Sequence, residues 1–133
     1  MSQEKQAESD IILKIQEYLK NSQVYYANSE KLLNEDESSK SGELMWGAIA
    51  EVVKALTLIK TKEPIKSHAM IREFLKQTVL ENRHRGLTYD LKRAADNLHS
   101  NFYETNLEGQ DFNIEYEKAK RLFAFLTKLT LKP

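Results

Sequence analysis

The chain contains no cysteine. That absence removes disulfide frameworks, thiolate metal sites and thiol nucleophiles together. Two prolines and four glycines in 133 residues are too few turn-formers for a β-rich fold with its many tight reversals. No apolar run approaches the roughly 18 residues needed to cross a bilayer. The opening Met1-Ser2-Gln3-Glu4-Lys5 lacks the basic and apolar regions of a secretory leader. These features predict a soluble, cytoplasmic, all-α chain with no membrane association. The three histidines, His68, His84 and His99, are dispersed and give no metal signature, so neither a metal nor a cofactor is expected.

Net charge is absent too, with 20 basic and 20 acidic side chains, but the balance is uneven along the chain. Residues 1–51 carry five Lys/Arg against ten Asp/Glu, whereas residues 66–93 carry seven against three. A basic middle segment suits a phosphate backbone, because lysine and arginine displace condensed counterions. It suits equally an internal or dimeric complement to the acidic N-terminal helix.

At this length a single domain over 1–133 buries roughly two-thirds of its unfolded surface and needs no staple. Five helices are expected, with residues 1–9 as a flexible N-terminus. In the first, from about Ser9 to Leu33, Ile11, Tyr18, Tyr25 and Leu32 recur every seven residues, as do Ile12, Leu19, Tyr26 and Leu33. With Ile15 they make one broad apolar stripe. The tyrosines on it read either as a stacking platform for bases or as packing residues with their hydroxyls at the rim. The acidic, serine-rich stretch 34–42 reads as a mobile loop. A second helix, about Glu43 to Lys60, carries Met45, Ile49, Val52, Val53 and Leu56 at helical spacing and ends before Pro64. Within it Trp46-Gly47-Ala48 sets a large ring beside small residues, which allows another backbone to come close. Ser67 caps a third helix, and a fifth begins near Asp111 or Asn113.

The fourth helix, about Leu87 to Asn106, concentrates the chemistry. At about 100° per residue from Leu91, Leu98 and Phe102 lie near the centre of the buried face, and His99, Lys92, Tyr103 and Asp96 follow one another along one border. Spacings of three and four residues let Asp96 meet His99, His99 meet Tyr103, and Lys92 meet Asp96. A histidine held by a carboxylate can serve as general acid or base near neutral pH. The same group can equally be a partly buried histidine satisfied by its neighbours. A cleft lined by His68, Arg72, Lys76, Lys92, His99 and Tyr103, with Asp96 and Asn101 beside it, would suit a nucleotide phosphate and a stacked ring. No glycine-rich phosphate loop sharpens this, since Gly42, Gly47, Gly86 and Gly109 are too far apart.

Ala94-Ala95-Asp96-Asn97-Leu98-His99-Ser100-Asn101-Phe102-Tyr103-Glu104, taken with Leu44-Met45-Trp46-Gly47-Ala48 and Val53-Lys54-Ala55-Leu56, resembles the archaeal PaREP family. That family is related to the HEPN (higher eukaryotes and prokaryotes nucleotide-binding) domains. The resemblance covers most of residues 10–130 and implies an up-and-down helical bundle, commonly a homodimer, whose relatives bind nucleotides or cleave RNA without a metal. RNA-cleaving relatives carry an arginine, usually followed by a polar residue, and then a histidine after four to six intervening residues. Arg93 and His99 match the spacing, with Ala94 standing at the polar position. The resemblance gives His99 the role of acid or base, Arg93 that of stabilising the phosphorane, and Tyr103 that of orienting either. In a regular helix Arg93 and His99 diverge by about 120°, so convergence requires an irregular turn or a second copy of the chain.

Two further readings stand beside nucleotide or RNA binding through the polar cleft. One is a metal-independent endoribonuclease. The other is a non-catalytic interaction module, such as one half of a toxin–antitoxin pair with its protein partner encoded nearby.

Overall fold

The computed structural model describes residues 2–105 and 107–131, and among them there is no strand. Five α-helices follow in order: α1 Gln3–Asn34, α2 Ser38–Thr61, α3 His68–Asn82, α4 Tyr89–Glu104 and α5 Gly109–Leu131, with a 3-10 turn Arg83–Arg85 between α3 and α4. The chain is therefore an all-α bundle. Helices α1, α2, α4 and α5 alternate in direction: Ser29 of α1 meets Ser41 of α2, His99 of α4 meets Glu43, and α5 starts with Phe112 near Gly42. Helix α3 is laid over α2 and α4.

The core forms around α2, the most apolar helix. Its Met45, Ile49, Val52, Val53 and Leu56 are buried against Ile71 and Val79 of α3, Leu91 and Leu98 of α4, and Phe112, Leu122 and Leu126 of α5. Removing one such aliphatic side chain from water contributes about 1.5–3 kcal/mol. The inward residues expected of the last helix, Ala119, Leu122, Phe123 and Leu126, are all buried, and Leu129 is half-buried. Phe102, expected near the centre of the α4 face, instead lies 36% exposed. It sits in the last turn of the helix, where Asn101 takes the buried side.

Helix α1 packs along α2 through a seam that is half polar. Its buried residues are Ser22 and Ser29 rather than the flanking tyrosines and leucines. Ser29 Oγ donates to the Ser41 carbonyl at 2.6 Å, Ser41 Oγ donates to the Ser29 carbonyl at 2.7 Å, and the Tyr116 hydroxyl of α5 lies 2.8 Å from Ser29 Oγ. Three helices are thus fastened by a closed set of hydroxyls in a place where an unpaired one would cost about 1–3 kcal/mol. Burial pushes the Tyr116 phenol up, and the two serines only partly offset it.

This fastening explains why α2 begins earlier than the composition suggests. The acidic, serine-rich stretch 34–42 is a tight turn only over Glu35–Glu37, with Asp36 at a positive φ of 60°, and Ser38–Gly42 are already helical. Ser41 is held by Ser29, and Gly42 lies so close to α4 and α5 that a Cβ there would stand 3.1 Å from Phe112 and 3.4 Å from Leu98. The N-terminal residues from Gln3 onward are helical as well, although residues 2–10 are all exposed.

The α1 tyrosines serve packing. Tyr26 stacks on Phe123 at 4.8 Å, Tyr25 lies against Gly47, and Tyr18 lies under the ammonium groups of Lys14 and Lys54. Among the described residues no ion pair joins an acid of segment 1–51 to a base of segment 66–93. The basic segment is therefore not neutralised by α1 within the chain. No helix among the described residues is long and apolar enough to cross a membrane.

Candidate functional site

Helix α4 brings His99 to the first turns of α2. There His99 donates from Nδ1 to the Glu43 carboxylate, whose two oxygens lie 2.8 and 2.9 Å away. One ring of the site comes from α2 itself: Trp46 stacks on the imidazole with centroids 4.2 Å apart and planes 18° from parallel. His68, the first residue of α3, closes edge-on against both, 4.9 Å from Trp46 and 5.8 Å from His99. Tyr103, one turn beyond His99, presents its edge at 5.5 Å. Four rings and a carboxylate from three helices therefore form one pile.

Local sequence sets each member. Ser67 caps α3 by accepting from the Met70 amide at 3.2 Å, which fixes His68 at the start of that helix. Gly42 admits Leu98 against α2 and so brings the adjacent Glu43 and His99 into register. Asn101 serves the fold at the far end. It is 1% exposed, and its Oδ1 accepts from the Leu107 amide at 2.6 Å, turning the chain out of α4.

Electrostatics favour a positioned histidine. With Nδ1 engaged, Nε2 is the remaining ring nitrogen, and it has no protein partner among the described residues. It is not among the buried unsatisfied atoms either, so it reaches solvent. Burial pushes the Glu43 carboxyl above the ordinary glutamate range, and the hydrogen bond and charge of His99, with the charge of His68, pull it back only in part. The pile is open on one side: Tyr103 is 72% exposed and His68 lies at the surface.

The other residues expected here are placed as follows. Lys92 and Asp96 pair with each other at 2.8 Å, with the Lys92 side chain 8% exposed. Asp96 is thus engaged by lysine, and Glu43 takes the position at His99 that i, i+3 spacing offered to Asp96. Arg93 rests over the ring of Tyr89, its guanidinium carbon 5.6 Å from the ring centre, and the Lys92 ammonium lies 5.3 Å from the same ring. Helix α4 is unbroken from Tyr89 to Glu104, so no irregular turn carries Arg93 round to His99. Arg72 and Lys76 are exposed along α3, on the helix that begins with His68.

Glu43 is the partner of His99 that spacing rules could not find, since it lies 56 residues away. Its signal in the sequence is faint: an acid one turn before the lone tryptophan. Among the described residues no three His, Asp or Glu side chains gather to hold a metal ion.

A helical bundle with a carboxylate-held histidine stacked on tryptophan is the class of protein that fold and site define. The chain belongs to the archaeal PaREP1/PaREP8 family, whose family model matches residues 17–123, a span that includes every ring of the pile. Comparison with curated proteins and with solved structures returns no match.

Proposed function

We propose that the chain binds a nucleotide or RNA base at the open edge of the Trp46–His99 stack. The observation that carries this reading is the pile itself: a histidine locked by Glu43, backed by Trp46 and flanked by the largely exposed ring of Tyr103. A base offers a flat π-surface, and stacking one on an aromatic side chain is worth about 1–3 kcal/mol. The open Nε2 of His99 supplies a polar contact to a base edge or phosphate. The resemblance to HEPN domains supports the same ligand class.

A second reading is favoured by the Glu43–His99 bond. A carboxylate that holds Nδ1–H fixes the tautomer in which Nε2 accepts a proton. In a metal-independent ribonuclease, Nε2 takes the proton of a ribose 2′-hydroxyl. The 2′-oxygen then bonds to phosphorus, the bond to the 5′-oxygen breaks, and that oxygen leaves with the proton that the His99 imidazolium gives up. Arg93 would stabilise the phosphorane from a second copy in a homodimer, because within its own chain it rests on Tyr89.

Trp46 is the sole tryptophan, so its emission reports occupancy directly. Titration with mononucleotides and short RNA is expected to change that emission in the wild type. Tyr103→Ala, at an exposed position, should weaken the affinity about 5-fold to 150-fold, the range set by one lost stack. Emission that stays flat at millimolar ligand, with no rise in melting temperature, sinks the binding reading. Labelled RNA left intact by the wild type, or cut equally by His99→Ala, sinks the ribonuclease reading.

A further inference from the structure

The flank of α3 that leads away from the pile carries cations and no acid. Counting about 100° per residue from His68, Arg72 falls near 40° and Lys76 near 80°. Arg83 opens the 3-10 turn that directly follows α3, after Asn82 departs from helical geometry at φ −117° and ψ 15°, and so stands at the far end of the helix. All three cations are exposed, and none makes an ion pair among the described residues. The acids of α3 lie elsewhere, Glu73 near 140° and Glu81 near 220°. Glu73 accepts from Gln77, and Glu81 pairs with Lys60 of α2.

The geometry points to this flank, Arg72–Lys76–Arg83, as a track for the phosphates of a single-stranded nucleic acid whose terminal base occupies the Trp46–His99 pile. The inference rests on the proposed nucleotide-binding role of that pile and deepens it: the ligand is a strand rather than a mononucleotide. From His68 to Arg83 the helix rises about 22 Å at 1.5 Å per residue. At about 3.4 Å per stacked nucleotide this accommodates a strand of about six. Cations alone would suit an acidic protein segment equally well. The track, however, starts at His68, whose ring lies 4.9 Å from Trp46, and a ring pile at the head of a cation row fits a base followed by its phosphates.

The test follows Trp46 emission with uridine and with a uridine oligomer of about eight nucleotides, in salt from about 50 to 200 mM. Each phosphate contact on a single strand contributes about −0.7 to the slope of log affinity against log salt, so three contacts give a slope near −2. Arg72→Gln, Lys76→Gln and Arg83→Gln should each make that slope shallower by about 0.7 while leaving unchanged the binding of uridine, which carries no phosphate. Circular dichroism checks that each variant keeps the helix content of the wild type. Oligomer binding whose slope the three substitutions leave unaltered overturns the track and leaves the pile standing. Failure of both uridine and oligomer to move Trp46 emission in the wild type overturns the pile and the track together. Salt-sensitive self-association that these substitutions abolish, with no oligomer bound, assigns the flank to an acidic surface of a second copy and overturns the proposal.

Discussion

Two glycines five residues apart on α2 should respond to alanine with opposite signs. At Gly42 a new Cβ meets Phe112 at 3.1 Å and Leu98 at 3.4 and 3.5 Å, and both partners are fully buried ring or branched side chains with nowhere to swing. Overpacking of this kind costs about 1–3 kcal/mol. Alanine returns about 1 kcal/mol through helix propensity, so Gly42→Ala should be destabilising by about 1 kcal/mol net. At Gly47 the Cβ meets the Tyr25 ring at 3.4 and 3.8 Å, ordinary contact, so Gly47→Ala should keep most of its propensity gain of about 1 kcal/mol. For a chain of this size the two variants should differ in melting temperature by about 5–10 °C, followed by far-ultraviolet dichroism. Stabilisation by Gly42→Ala equal to that at Gly47 would refute the close approach of α2 to α4 and α5. Function supplies a second readout. Since Gly42 and Leu98 precede Glu43 and His99, pushing them apart should also loosen the Trp46–His99 stack and shift tryptophan emission in Gly42→Ala alone.

Glu43 makes stability depend on pH. Its folded carboxyl holds a proton more tightly than the unfolded one, because burial disfavours the charge. Stability from this source is complete below the ordinary value of 4.5 and is lost as pH rises through the raised folded value. Glu43→Gln should remove that component, so its stability relative to wild type should rise across the window, as urea unfolding at a series of pH values would show. Parallel pH profiles for the two proteins count against the shift. At the hydroxyl fastening, Tyr116→Phe should cost about 1 kcal/mol, because Ser29 keeps its bond to the Ser41 carbonyl. Ser29→Ala should cost about 2 kcal/mol, because it leaves the Tyr116 hydroxyl and the Ser41 hydroxyl with fewer partners. Urea midpoints that do not move in Ser29→Ala would contradict this account.

The helices were legible where local chemistry decides them. Ser67 marks the start of α3 by its capping side chain, and the buried α5 residues follow the 3.6-residue period. The start of α2 was not legible, because Ser41 and Gly42 read as loop residues until Ser29, Tyr116 and Phe112 are packed against them. The sequence suggested close backbone approach at Gly47, and the tightest contact falls at Gly42 instead, since α4 and α5 converge on the first turn of α2 while Gly47 faces one tyrosine ring. The polar border of α4 was read correctly in its Lys92–Asp96 and His99–Tyr103 neighbours. The partner of His99 was not, because helical spacing ranks the candidates on the same helix and is blind to Glu43 on another.

Helix α1 is 32 residues long, yet its first eight, like Ser2 before them, are all exposed. Its fixed points, Tyr26, Ser29 and Glu30, gather near the other end, where they meet Phe123, Tyr116 and Lys120. A helical segment that buries nothing is held by its own hydrogen bonds, and such segments open and close far more readily than a core. Amide exchange should therefore run as a gradient along α1, fast near Gln3 and slow by Ser29. A partner or a tag attached to the first turns would load a part of the molecule that can fray without disturbing either the core or the ring pile.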